Sequence, residues 1–226
     1  MTISLLGADP SSRQVGVVVT SSSPAVAARC ARVLPGVGAA CSQNVTDPRL
    51  GLQLLHEQTK ANDVSEALTR VRESAPHAEF RQLAMIDLDG DTAAWSGSGA
   101  LGVHAESHGR HCVAVGNLLA HDGVAIAATE AFGEAAGPLA SRLIIGLTAA
   151  IAAGGEAGPV RSAGLLIAAD VPWPVVDLRV DDHDDPLGEL ARLWELYAPL
   201  QDDYVTRALN PDSAPAFGVP GDPGEE

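Results

Sequence analysis

Apolar positions along this chain come in short blocks whose period alternates between that of a strand and that of a helix. Residues 3–8 and 14–20 are apolar almost throughout and are separated by Asp9-Pro10-Ser11-Ser12-Arg13. Turn chemistry between two such runs predicts an antiparallel hairpin. Val15, Val17, Val18 and Val19 put apolar groups on both faces of the second run, which places it inside a sheet. That run stops at Ser21-Ser22-Ser23-Pro24, and residues 36–41 predict another strand leading into a loop over 42–47. Asp47-Pro48 is a cap and first-turn pair, opening a helix through Leu52 and Leu55 to about residue 59. Asp63, with Glu66 three positions on and Val64, Ala67, Leu68 and Val71 on one face, predicts a second helix. Strands return over 80–87 and 92–96 around an Asp89-Gly90 turn, and again over 111–116. Helices over 124–134 and 139–153 follow, the latter with a broad face of Leu139, Leu143, Ile144, Leu147 and Ile151. Strands over 162–168 and 175–180 and a helix from Asp185-Pro186, carrying Leu187, Leu190, Leu193, Trp194 and Tyr197, complete the pattern.

Strands and helices thus arrive in groups and do not alternate as in a doubly wound parallel sheet. The order fits an α+β protein: antiparallel sheets covered by helices, in three layers or as two stacked sheets in four. With 226 residues, 46% hydrophobic and 19% charged, residues 1–200 read as one domain with a core of its own. Residues 201–226 hold six acids against the single Arg207, together with Pro211, Pro215, Pro220 and Pro223, and read as an extended acidic tail. A net charge of −15 argues against nucleic acid or an anionic membrane as a partner. The three cysteines, Cys30, Cys41 and Cys112, lack metal-type spacing and read as reduced, buried thiols. No basic-then-apolar leader is visible, and the longest apolar stretch, over 143–153, is too short to span a bilayer. A cytoplasmic protein is expected.

Removal of Met1 would leave Thr2 as a terminal residue carrying both a hydroxyl and an α-amine. An unperturbed α-amine titrates at roughly 7.7 to 8.0, near the optimum for a general base, so threonine could serve as a self-activated nucleophile. Competing motifs are weaker. Gly36-Val37-Gly38 lacks the third glycine and the helix of a nucleotide loop, and Gly97-Ser98-Gly99 lacks the first glycine of a nucleophile elbow. His104, His108 and His111 with Glu106 have no helical scaffold to converge on a metal. Asp181-Asp182-His183-Asp184-Asp185 reads as a corner whose acids suit a helix N-terminus. No metal and no cofactor are expected. Lys60 is the only lysine and sits near a helix end, so base catalysis falls to the α-amine, a histidine or a carboxylate. Asn117, just past a strand, either donates to an oxyanion or bonds the strand-end backbone.

Several segments together resemble one family. They are Thr2-Ile3-Ser4, the stretch from Ser21 to Cys30, Gly36-Val37-Gly38-Ala39, the stretch from Gln43 to Gly51, Arg81-Gln82-Leu83, the stretch from Gly116 to Ala120, Gly137-Pro138-Leu139, the stretch from Ser162 to Leu166 and that from Val176 to Asp181. The segment from Asp203 to Leu209 is similar to one branch of the same family. The family is that of domain of unknown function 1028, grouped with the N-terminal-nucleophile hydrolase-like proteins. The resemblance implies a four-layer αββα sandwich and, by analogy with enzymes of that superfamily, hydrolysis of an amide bond through an acyl-enzyme. It makes Thr2 the candidate nucleophile and Asn44 or Asn117 the oxyanion donor. Ser4 also matches family members and shares a strand face with Thr2. The expected partner is a small-molecule or peptide amide, with a homo-oligomer possible. The alternative is a scaffold that binds a small molecule or protein partner without turnover, which the missing strand lysine favours.

Overall fold

The computed structural model describes residues 2–216 and 218. Every named strand pairing among them is antiparallel. The larger sheet has six strands, in chain order β1 (Thr2–Asp9), β2 (Gln14–Ser21), β7 (Val103–Gly109), β8 (Cys112–Leu119), β9 (Ser162–Ala168) and β10 (Pro174–Val180), arranged β10-β9-β2-β1-β8-β7. The smaller has four, β3 (Ala31–Leu34), β4 (Gly38–Asn44), β5 (Arg81–Asp87) and β6 (Thr92–Ser96), in sequential order. The apolar β1–β2 hairpin is central because both its faces are covered. One face of β1 sends Ile3 and Leu5 toward helices; the other sends Leu6 and Ala8 toward the second sheet.

Helices α4 (Gly123–Glu134), α5 (Leu139–Ala152) and α6 (Pro186–Tyr197) cover the outer face of the large sheet. Helices α2 (Pro48–Ala61) and α3 (Val64–Ser74) cover the small one. The result is a four-layer αββα sandwich. Phe132, Leu143 and Leu147 fill the gap between α4, α5 and the sheet and are fully buried, each contributing about 1.5–3 kcal/mol by leaving water. The helices pack so closely that Gly7 admits no side chain, since a Cβ there would lie 2.7 Å from the Phe132 ring. Asp47, Asp63 and Asp185 cap α2, α3 and α6 through backbone N–H groups, worth about 1 kcal/mol each.

Three differences from the sequence reading have physical causes. A short helix α1 (Val26–Cys30) and the edge strand β3 occupy what had no assignment. Residues 103–109, which carry His104, Glu106 and His108 and were assigned no element, form the edge strand β7. Its polar residues point to solvent and its small ones inward, which makes its alternation faint and suits an edge. The segment read as extended from residue 201 begins as a helix, α7 (Gln201–Leu209). All four tail prolines lie beyond Leu209, and Asp202 and Asp203 in its first turn with Arg207 in its last complement the helix dipole. Residues 217 and 219–226 of that tail lie outside the described residues. Helix α6 docks by Leu187 and Leu190, with the Trp194 indole N–H on Ser141 Oγ (3.0 Å) and the Tyr197 hydroxyl on the Val175 carbonyl (2.8 Å).

Candidate functional site

Four polar side chains form a row across the end of the large sheet. The register aligns Ser162 of β9 with Ser21 of β2, Ser21 with Thr2 of β1, and Thr2 with Asn117 of β8. Residues paired across antiparallel strands share a face, and this face looks toward the second sheet. The row interrupts an apolar interior, with Val19 and Val115 lying two positions further in. Thr2 Oγ1 and Ser21 Oγ stand 3.2 Å apart, and the Ser23 N–H donates to the Ser21 oxygen (3.1 Å). Ser162 belongs to the scaffold: its hydroxyl donates to the Ser23 carbonyl (2.6 Å) and accepts the Val26 N–H (3.1 Å).

The small sheet supplies the facing layer with two buried amides, Gln43 and Gln82, neighbours across β4 and β5. Their orientations follow from carbonyls that can only accept. Gln82 Nε2 donates to the Gly116 carbonyl (2.9 Å) and to Ser96 Oγ (2.9 Å). Its Oε1 therefore faces the other amides and accepts from Gln43 Nε2 (2.8 Å) and Asn117 Nδ2 (3.1 Å). Gln43 Nε2 is also shared between the carbonyls of Thr2 (3.3 Å) and Val115 (3.2 Å). That leaves Gln43 Oε1 to accept the Ser4 hydroxyl proton at 2.6 Å. The network pins the ends of β1 and β8 against the small sheet.

These bonds separate the sequence candidates. Thr2 and Asn117 are brought together, each on the inner face at the same level. Ser4 lies one row deeper, completely buried, with its proton committed to Gln43. Asn44 is not brought to Thr2. At φ 73° it ends β4 and ties two loops, donating to the Phe80 carbonyl (2.6 Å) and accepting the Leu101 N–H (3.1 Å). The Asn117 amide donates to Gln82, and its buried Oδ1 accepts no hydrogen bond among the described residues. Lys60 is remote, paired on the surface of α2 with Glu57 at 2.6 Å.

Glu156 is the residue sequence reasoning missed. It follows Gly154-Gly155 after α5, and its backbone pairs with Leu119, the last residue of β8. Its Oε2 accepts the Ser22 N–H (3.2 Å) just past the end of β2, while its buried Oε1 has no partner among the described residues. Strand β1 lies between β2 and β8, so the residue is fastened to the strands on either side of β1, at the end where Thr2 begins. Glu156 is 6% exposed. Burial pushes its carboxyl up to about 7, opposed by the charge of the amino terminus and by hydrogen bonds from Ser22. A lone acid after two glycines gives no periodic signal. Gln43 and Gln82 were detectable as polar residues in phase with Cys41 and Ala84 on buried strand faces. Ser21 stands at the polar end of β2.

Elsewhere, Asp182 and Asp184 pair with Arg161, and Asp185 Oδ1 caps α6 on the Gly188 N–H (3.0 Å). His108 Nδ1 bonds the Thr92 hydroxyl at 2.7 Å and His104 the Gly102 carbonyl at 3.2 Å. Among the described residues no cluster of three or more His, Cys, Asp or Glu could hold a metal ion. Cys30, Cys41 and Cys112 are free and buried, and burial drives the Cys41 thiol up to about 12. No helix among the described residues is long and apolar enough to cross a membrane.

The Thr2 hydroxyl thus stands at the head of a central strand, between two stacked antiparallel sheets. Residues 2–190 match the model of a family of unknown function, DUF1028, and the chain belongs to that family. Protein SPO2555 from Silicibacter pomeroyi, a DUF1028 protein of solved structure, is 29% identical, with 90% of this chain and 89% of that one covered and a TM-score of 0.83. Two Anbu (ancestral beta-subunit) structures are far more distant. That from Yersinia bercovieri is 10% identical over 91% of this chain and 97% of its own, with a TM-score of 0.41. That from Hyphomicrobium sp. strain MC1 is 10% identical over 97% and 100%, with a TM-score of 0.38. No curated protein matches the chain.

Proposed function

We propose that the chain hydrolyses an amide bond in a small amide, acyl-amino acid or short peptide, with Thr2 as nucleophile once Met1 has been removed. The observation that carries this reading is the Thr2 hydroxyl itself, within hydrogen-bond distance of Ser21 and level with Asn117 at the head of a central strand. Thr2 Oγ1 attacks the carbonyl carbon and passes its proton to its own α-amine; the amine then gives that proton to the departing nitrogen. Water attacks the resulting ester and restores the hydroxyl. Asn117 is held by Gln82 beside the reacting carbon, its second Nδ2 proton the donor for the developing oxyanion. Ser4, with its proton held by Gln43, serves as a strut.

The second reading, a binding site without turnover, rests on one feature. Asn117 Oδ1 and Glu156 Oε1 are both buried acceptors without partners among the described residues, which suits a ligand rich in N–H donors. Intact mass of the purified protein and steady-state hydrolysis of an acyl-amino-acid p-nitroanilide panel separate the two. The enzyme reading expects Met1 to be absent and Thr2→Ala to abolish turnover. Retained Met1, or unchanged turnover in Thr2→Ala, overturns it.

A further inference from the structure

We propose that Glu156 is the counter-ion of the Thr2 α-amine, orienting it and stabilising the ammonium formed when the threonine hydroxyl gives up its proton. This rests on the reading of Thr2 as the nucleophile. The class of strand lysine that supports a terminal threonine has no counterpart, since the only lysine lies on the surface of α2. Glu156 is instead tied to both strands that flank β1, by its backbone to Leu119 at the end of β8 and by its carboxylate to the Ser22 N–H just after β2. Of its two oxygens, one is fixed by the Ser22 N–H and the other is buried with no partner among the described residues. Buried acceptors are nearly always bonded, so an unpaired carboxylate oxygen at the head of β1 calls for a donor there. The α-amine exposed by loss of Met1 is that donor.

The neighbouring charged groups are engaged elsewhere. Arg161, whose N–H binds the Ser21 carbonyl, turns its guanidinium outward to Asp182 and Asp184. His121 holds the Ala153 carbonyl through Nε2 at 2.7 Å. Thr2, Ser21, Ser22 and Asn117, the other side chains around the end of β1, are uncharged. Glu156 thus stands to the amine as the aspartate of a hydrolase triad stands to its histidine: it holds orientation and balances charge without taking the proton itself. It is a positioning residue, acting through the amine.

The test titrates the α-amine directly, independent of turnover. Thr2 is modified with acetic anhydride across pH in the parent, Glu156→Gln and Glu156→Asp, and the extent at the terminal nitrogen is read by peptide mass spectrometry. A nearby carboxylate favours the charged amine, so its loss in Glu156→Gln is expected to lower the amine's midpoint by about one pH unit, with Glu156→Asp in between. The acidic limb of the acylation rate should move with it, and the plateau should fall about tenfold or more, as when a triad base loses its orienting carboxylate. Gln keeps an acceptor for the Ser22 N–H, and Asp keeps the charge, so at least one variant retains the fold. Coincident midpoints in parent and Glu156→Gln overturn the assignment while leaving Thr2 as nucleophile. Retained Met1 overturns both.

Discussion

In protein whose terminal amine has been acetylated, so that no ammonium faces the carboxyl, replacing Glu156 by Gln should flatten the pH dependence of folding stability by an amount that follows from its burial. The carboxyl ionises near 4.5 in an open chain and at about 7 in the folded one. Between those values the folded protein holds a proton that the unfolded chain has released, so stability falls as pH rises and levels off above about 7. At about 1.4 kcal/mol per pH unit the full interval amounts to about 3 kcal/mol. Over an accessible range of about pH 5 to 8.5 roughly 2–3 kcal/mol of it should be seen. Gln has nearly the same shape and still accepts the Ser22 N–H, but has no proton to lose. Urea unfolding of parent and variant at each pH, analysed by linear extrapolation, cancels all other titrating groups in the difference. Glu156→Gln should gain on the parent with rising pH, by about 2–3 kcal/mol in total. A difference constant with pH would show that the carboxylate meets water freely, and the placement of Glu156 over the end of β1 would be refuted.

Gln82→Leu removes the centre of the amide network. It strands Gln43, Asn117 and the Gly116 carbonyl in a buried layer, so a loss of about 2–4 kcal/mol is expected in the same unfolding assay. Gly146→Ala on α5 would place a methyl 2.5 Å from Leu5 and 2.8 Å from the Ala128 carbonyl, forcing α5 off both β1 and α4. About 1–3 kcal/mol should be lost, read as a lowered melting temperature. Asp47→Ala deletes the cap of α2 and should cost about 1 kcal/mol at neutral pH. Because Arg49 holds the Asp47 carboxyl down to about 2, the cap's contribution is present above the ordinary carboxylate range and fades as pH falls toward 2. Unfolding of parent and variant should therefore converge in acid.

Most of the architecture was legible in the chain because its signals are local. The Asp caps announced α2, α3 and α6, the apolar faces announced α4 and α5, and the Asp89-Gly90 turn joined β5 to β6. What stayed hidden was short or at an edge: α1 has five residues, and β3 and β7 carry too few apolar side chains to show a period. Of the site, Thr2 and Asn117 were visible as residue types at strand ends, but their neighbourhood was not. Whether Ser4 or Thr2 keeps a mobile proton depends on Gln43, which is 39 residues away in sequence from Ser4 and in another sheet. Glu156 reaches Ser22 across 134 residues. No spacing rule connects positions that only sheet stacking brings together, and Asn44 shows the converse, since its polar side chain at a strand end serves only to fasten loops.

The most direct measurement is covalent capture at Thr2. The native protein is incubated with a β-lactone, an electrophile that acylates activated hydroxyls, then digested and mapped by tandem mass spectrometry. A single ester adduct on a Thr2 freed of Met1, lost in Thr2→Ala and retained when Ser4 is replaced by Ala, is the expected result. Label on Ser4 or Ser21, or no label on a correctly folded protein, would contradict the assignment of this chain's chemistry to its second residue.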